Sequence, residues 1–246
     1  RLRLRLFTVG AGWVRWGIEA MVRALHASES RRGVSGMQMD WNARWLAEDT
    51  PWDHGEAAPP LREWCEALAR RDDGVVPLAA RVSPTGRWLV PGCGSGHDVR
   101  LLAEAFPEVE FVGLDIAAAA IQQAETHPRV GSERYVQADI AALPDALRGT
   151  FDGIFEHTCF CTLPPEQREP YRKMYCDALR PGQAYLLGIF FLETGHDRDG
   201  PPFAISEAEL DRFFEPDFTT VAKWTPQRVF ESRTDCVEQM RLEALR

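Results

Sequence analysis

The stretch Leu89-Val-Pro-Gly-Cys-Gly-Ser-Gly-His-Asp98, followed by Val109-Glu-Phe-Val-Gly-Leu-Asp115, decides the fold. The first piece runs from an apolar segment through a glycine-rich turn into a helical pattern. The second is an apolar strand pattern that ends in an acid. Strand, glycine turn, helix, strand, acid is how a doubly wound α/β sheet holds a ribose-bearing cofactor. Glycine lets the backbone approach such a ligand closely. A carboxylate at the end of the second strand accepts hydrogen bonds from ribose hydroxyls.

The glycine spacing narrows the cofactor. A dinucleotide site wants G-x-G-x-x-G, whose third glycine lets the helix pack closely on the strand. Counting from Gly92 gives Gly94 and then His97 where that glycine belongs; counting from Gly94 gives Gly96 and then Val99. Neither frame fits. The pattern is Gly92-x-Gly94-x-Gly96, the compact form found in S-adenosylmethionine-dependent methyltransferases, with Asp115 nineteen residues beyond Gly96. A cofactor without pyrophosphate needs no anion cradle, only room for its methionine moiety. Any tight strand-to-helix turn favours glycine, so the weight rests on the flanking strands and Asp115.

Working outward, the chain alternates strand and helix patterns. Strands are expected at 87–90, 109–114, 134–137, 151–156 and 183–191. Helices are expected at 60–70, 97–106, 116–125 and 164–179. Ser206 and Glu209 form a capping-box pattern that opens another helix. Upstream, Trp41 and Trp45 share a helical face, and Thr50-Pro51 breaks that helix. Two final strands, near 218–223 and 228–235, are joined by Trp224-Thr-Pro-Gln227, a turn short enough to permit only antiparallel pairing. The expected fold is a doubly wound, seven-stranded, mostly parallel sheet with an antiparallel C-terminal hairpin and an N-terminal lid segment.

The 246 residues carry a net charge of −9, which speaks against a nucleic-acid partner. No apolar run approaches the ~20 residues of a membrane helix. Six scattered cysteines lack the C-x-x-C spacing of a zinc site, so no metal is expected and the compartment reads as reducing. A cytoplasmic monomer acting on a small molecule is the expectation. Residues 1–38 read as a separate leader ahead of a domain at 39–246. Residues 1–39 hold seven Arg and two Glu, about +5, which leaves about −14 on the rest. The leader is read as an extension without a role in the chemistry, since Met37 or Met39 offers a start. An organelle transit peptide is the other reading.

In an open α/β sheet, ligands sit beyond the carboxyl ends of the strands. Those ends carry Gly92 to Gly96, Asp115, Asp139-Ile140 and Glu156-His157. Asp115 either binds ribose or caps the helix after it. Asp139 either contacts the adenine amino group, with Ile140 packing the ring, or caps a turn.

Seven segments together resemble the thiopurine S-methyltransferase superfamily, most closely its thiol, thiocyanate and methyl halide methyltransferase branch. They are Trp41-Asn-Ala-Arg-Trp45, Thr50-Pro-Trp-Asp53, Leu89 to Asp98, Val112-Gly-Leu-Asp115, Phe151-Asp152, Phe160-Cys-Thr-Leu-Pro-Pro165 and Gly200-Pro-Pro-Phe203. The resemblance runs from about residue 40 to the end. It implies S-adenosyl-L-methionine as cofactor, bound by Trp41, Trp45, Trp52, Gly92, Gly94, Gly96, Asp115, Asp139, Ile140 and His157. At the position of His157 the relatives carry Arg or Tyr. An aromatic face also attracts a sulfonium cation. The acceptor would be a thiol, bisulfide, thiocyanate, a halide or an aromatic thiol, in a pocket lined by Phe160, Phe190, Phe191, Pro202 and Phe203. In-line attack on an activated methyl group needs alignment and a dry pocket, and no catalytic acid or base can be named. The competing readings are a non-catalytic S-adenosylmethionine-binding domain and a nicotinamide-dependent oxidoreductase.

Overall fold

Apolar residues two apart line each face of the central strands, and helices cover both faces. The computed structural model describes residues 39–70, 74–192, 201–203, 205–233 and 237–246. The leader, Gly200 and most of the loop before it lie outside the described residues. Seven strands form one sheet: β1 (Arg87–Pro91), β2 (Glu110–Asp115), β3 (Arg134–Gln137), β4 (Gly153–His157), β5 (Tyr185–Leu192), β6 (Phe218–Trp224) and β7 (Val237–Leu245). Their order is β3-β2-β1-β4-β5-β7-β6. The first five pair in parallel. β7 runs antiparallel to both β5 and β6. No helix among the described residues is long and apolar enough to cross a membrane.

The alternation of side chains sorts the core into two layers. Leu89, Ile154, Leu186 and Phe190 face helices Pro165–Ala178 and Glu207–Phe214. Trp88, Val90, Phe155, Leu187 and Ile189 face helices Pro59–Arg70 and His97–Ala105. Helix Glu207–Phe214 starts with the expected capping box, the Ser206 side chain accepting from the Glu209 amide while the Glu209 carboxylate accepts from the Ser206 amide.

The chain progresses outward in opposite directions from the β1–β4 boundary, which is the topological switch point where open α/β sheets bind ligands. The loops after β1 and β4 therefore flank one crevice.

Two expectations need correction. The last strand is Val237–Leu245, not 228–235. The link from β6 is consequently twelve residues long rather than a four-residue turn, and it contains a short 3₁₀ turn at Glu231–Arg233. Polar residues on the buried side of β7 conceal its strand pattern. Arg241 is fully buried and bonds Glu243 at 2.8 Å and Asp211 at 2.8 Å. Upstream, the tryptophan helix is only Trp41–Leu46 and stops before Thr50-Pro51, where Glu48 takes φ +56°.

Candidate functional site

Three segments meet at the switch point: the glycine turn after β1, the loop after β4, and the N-terminal lid. Between them lies a cleft with about 490 Å³ of empty space, including its open mouth. Its walls include Trp45, Trp52, His54, Gly92, Gly94, Asp98, His157, Thr158 and Phe230.

The glycine turn is shaped by its neighbours. Gly94 has φ +52°, and a Cβ there would lie 3.2 Å from the Trp45 ring. Gly96 has φ +75° where it opens helix His97–Ala105, and a Cβ would lie 2.6 Å from Tyr135. A side chain at either position would be strained and would also meet an aromatic ring. Bare backbone is thus presented to the cleft under an indole face.

Asp115 ends β2 and is 8% exposed. Its Oδ2 accepts from the Gly94 amide at 2.9 Å and its Oδ1 from the Ala117 amide at 2.9 Å. It therefore ties the glycine turn to the start of helix Ala118–Thr126. Burial pushes its carboxyl pKa upward, against the pull of the Ala117 and Gly94 amides. A carboxylate has about four acceptor positions, so these two bonds do not use all of them. Ile116, next along the chain, is 40% exposed despite being apolar. Asp139 caps a short turn by accepting from the Ala141 amide at 2.8 Å, and Ile140 follows at the end of β3, beside β2.

The lid is pinned from two sides. Asn42 Oδ1 accepts from the Ala119 amide at 2.9 Å. Asp53 lies 3.5 Å from His97 Nε2 and accepts from the Gly55 amide. The His97 contact leads in holding the Asp53 carboxyl well below the usual carboxylate range. Trp52 meets Trp41 edge-on at 5.3 Å and Trp45 at 6.2 Å. Arg44 lies 4.4 Å over the Trp52 ring. Trp45 and Trp52 reach the cleft, while Trp41 supports Trp52 from outside its lining.

The loop after β4 is fixed from beneath by Glu156, which is completely buried. Its Oε1 accepts from the Cys159 and Phe160 amides at 3.0 and 2.7 Å, and its Oε2 from the Tyr171 and Tyr175 hydroxyls at 2.7 and 2.8 Å. Burial raises its pKa, opposed by those donors. His157 points to the opposite face, its Nδ1 2.7 Å from Asp98 Oδ2 and its Nε2 3.2 Å from Arg233 Nη1. Arg233, 9% exposed, lies over the rings of Phe191 at 4.5 Å and Phe230 at 5.0 Å and bonds Glu238 at 3.1 Å. His54 stacks on Phe230 at 4.0 Å. Burial, reinforced by the Arg233 cation, lowers the His54 pKa.

The phenylalanines expected to line one acceptor pocket are divided between the two faces of the sheet. Phe160 and Phe190 are 3% and 2% exposed and pack together in the layer under helix Pro165–Ala178. Phe191 projects to the other face, beside Arg233. The Phe203 amide donates to the Cys161 carbonyl at 2.7 Å, seating Pro202 and Phe203 against the loop after β4. Asp53, His54, Asp98, Thr158, Phe230 and Arg233 were not singled out as site residues from the sequence. Asp53 and Asp98 stand inside quoted motifs, so a signal existed for them. Phe230 and Arg233 fall within the misplaced last strand.

The residues present fit S-adenosylmethionine. A bare glycine backbone and an aromatic lid suited to a sulfonium face one cleft, and a buried strand-end carboxylate holds the glycine turn from behind. Residues 37–243 match the thiopurine S-methyltransferase (TPMT) family model. Thiocyanate methyltransferase 1 of Brassica oleracea is 35% identical over 181 residues, covering 72% of this chain and 71% of that protein. Probable thiol methyltransferase 2 of Arabidopsis thaliana is 30% identical over 180 residues, 72% of this chain and 71% of that one. Among solved structures, Burkholderia thailandensis 1,6-didemethyltoxoflavin-N1-methyltransferase, with bound S-adenosylhomocysteine, shares the fold. Its TM-score is 0.58 and its identity 14%, covering 98% of this chain and 93% of that one. A SAM-dependent methyltransferase fold from Methanosarcina mazei gives a TM-score of 0.56 at 19% identity, covering 65% of this chain and 92% of that one. Sheet order, glycine turn and family match lead to one assignment: the chain belongs to the thiopurine S-methyltransferase family and is an S-adenosylmethionine-dependent methyltransferase.

Proposed function

We propose that the chain methylates a small, soft, anionic nucleophile: a thiolate or bisulfide, thiocyanate, a halide or an aromatic thiolate. The observation that carries this reading is Arg233, a nearly buried guanidinium between Phe191 and Phe230 behind the cleft wall. Its charge is shared with Glu238 at 3.1 Å, and a guanidinium carries five N–H donors, so in this aromatic surround it can still hydrogen-bond a weakly hydrated anion. The relatives named for thiocyanate and thiol methyl transfer support the same class. Bound S-adenosylmethionine supplies a methyl group already activated by its sulfonium. The residues of this chain supply the rest. Trp45, Trp52 and Phe230 exclude water, Asp115 and the glycine turn fix the cofactor, and Arg233 steers the anion. Phe191, beside Arg233, and Pro202 with Phe203, seated on the loop after β4, wall the acceptor side.

The test is methyl transfer from labelled S-adenosylmethionine to iodide, thiocyanate, bisulfide and an aromatic thiol, each assayed separately. Turnover of at least one small anion is expected. Arg233→Gln should lower kcat/KM for the anions by ~10–100-fold, the scale of one charge-assisted contact. No turnover with any acceptor, despite cofactor binding, would favour a non-catalytic binding domain.

A further inference from the structure

His157 stands in a chain of alternating acceptors and donors. Asp98 Oδ2 lies 2.7 Å from its Nδ1, and Asp98 Oδ1 accepts from the Ala58 amide at 2.7 Å. Burial works against the Asp98 carboxylate, yet the His157 imidazole and the Ala58 amide keep its pKa below the ordinary value. On the other side, Arg233 has no lone pair to offer. The Nε2 facing it therefore carries the ring's lone pair, and the Nδ1 proton goes to Asp98. This is the tautomer in which a carboxylate orients an imidazole whose second nitrogen can accept a proton.

Arg233 is equipped to release that nitrogen. Its Nη1 already bonds Glu238 Oε1 at 3.1 Å, and the buried Glu238 Oε2 has no hydrogen-bond partner among the described residues. A guanidinium that leaves His157 thus has a second carboxylate oxygen available. The backbone adds an independent sign. Thr158, directly after His157 and also on the cleft wall, has φ +61°, a left-handed conformation costly for a β-branched residue. Such outliers collect at functional sites.

Resting on the methyl-transfer reading above, we propose that His157, positioned by Asp98, accepts the proton of protic acceptors in this enzyme. Neutral thiols and hydrogen sulfide would then use it, whereas bisulfide, thiocyanate and iodide would not. The S–H proton passes to His157 Nε2, and the imidazolium is stabilised by Asp98. The sulfur lone pair forms the new S–CH₃ bond while the methyl–sulfonium bond breaks, its electron pair staying on the departing thioether sulfur. The imidazolium then returns its proton to water. The charged and titratable groups facing His157 are Asp98 from helix His97–Ala105, Arg233 and, behind it, Glu238. His54 from the lid and the buried Glu156 on the opposite face complete the set.

The test compares acceptors within one enzyme. Any loss shared by all acceptors, such as weaker cofactor binding, cancels in the ratio of kcat/KM for a small thiol to that for thiocyanate. At pH 6 this ratio should fall about 100-fold in His157→Gln, the usual scale of general-base catalysis. A ratio unchanged within about threefold would overturn the proposal. The pH profile of the ratio should differ between the two proteins, and in His157→Gln it should follow only the ionisation of the free thiol. Nitrogen NMR of the protein without cofactor gives a second readout. A protonated Nδ1 and an unprotonated Nε2 are expected at His157, and the reverse tautomer would overturn the proposal. A wild type that methylates none of the acceptors would instead overturn the methyl-transfer reading, while leaving the NMR result to stand by itself.

Discussion

Asp115→Ala should weaken S-adenosylmethionine binding about 100-fold, or ~2.7 kcal/mol. Two losses combine. The ribose hydroxyls lose a charged acceptor, a contact of the kind worth ~1.5–3 kcal/mol. The Gly94 and Ala117 amides also lose the carboxylate that ties the glycine turn to helix Ala118–Thr126. Because Gly94 packs beneath Trp45, a loosened turn also loosens the lid. Asparagine is not a conservative replacement here. One end of its amide would point N–H groups at a backbone N–H that now finds a carboxylate oxygen. Calorimetric titration of the wild type and both variants measures the effect. Unchanged affinity in Asp115→Ala would mean that this carboxylate neither contacts the cofactor nor is needed to hold the glycine turn.

Glu156→Ala should destabilise the protein by ~3–5 kcal/mol, the scale of removing one member of a buried, fully paired polar cluster. Four donors would be left without their acceptor: the Cys159 and Phe160 amides and the Tyr171 and Tyr175 hydroxyls. Gln should cost far less, about 1 kcal/mol, because its carbonyl oxygen can still serve the two amides. The tyrosine hydroxyls can rotate to accept from its NH₂. The sign of the pH dependence follows from burial, which raises the Glu156 pKa in the folded state. Its contribution to stability is complete below the unfolded value and is lost as pH rises through the raised one. Glu156→Gln should remove that dependence. Urea denaturation of the three proteins across pH measures both effects. A loss below ~1 kcal/mol in Glu156→Ala would mean that the loop after β4 is held by other contacts.

The nucleotide-binding half of the fold was legible because each of its signals is local. Leu89 to Asp98 codes strand, turn and helix within ten residues, and Asp115 closes the next strand. The two tryptophans four apart likewise placed the lid helix. The acceptor side was less legible because it depends on contacts distant in sequence. Arg233 meets His157 across 76 residues, and Asp98 meets it across 59. β7 was misplaced because it buries Glu238 on one face and Arg241 and Glu243 on the other, and their pairing cannot be seen without the fold. The same misplacement hid Phe230, which the longer link brings to the cleft, and Arg233, which stands behind it. Phe190 and Phe191 illustrate the limit of an apolar run: adjacent residues of a strand face opposite sides of the sheet, and only one of them lies beside Arg233.

The most direct measurement of the central claim is a product balance. The enzyme, S-adenosylmethionine labelled in its methyl group, and thiocyanate or bisulfide are incubated, and both products are quantified by mass spectrometry. Methyl transfer to a small soft nucleophile predicts labelled methyl thiocyanate or methanethiol in equimolar amount with S-adenosylhomocysteine. Neither product in excess of the enzyme-free control, with iodide giving no methyl iodide either, would contradict it.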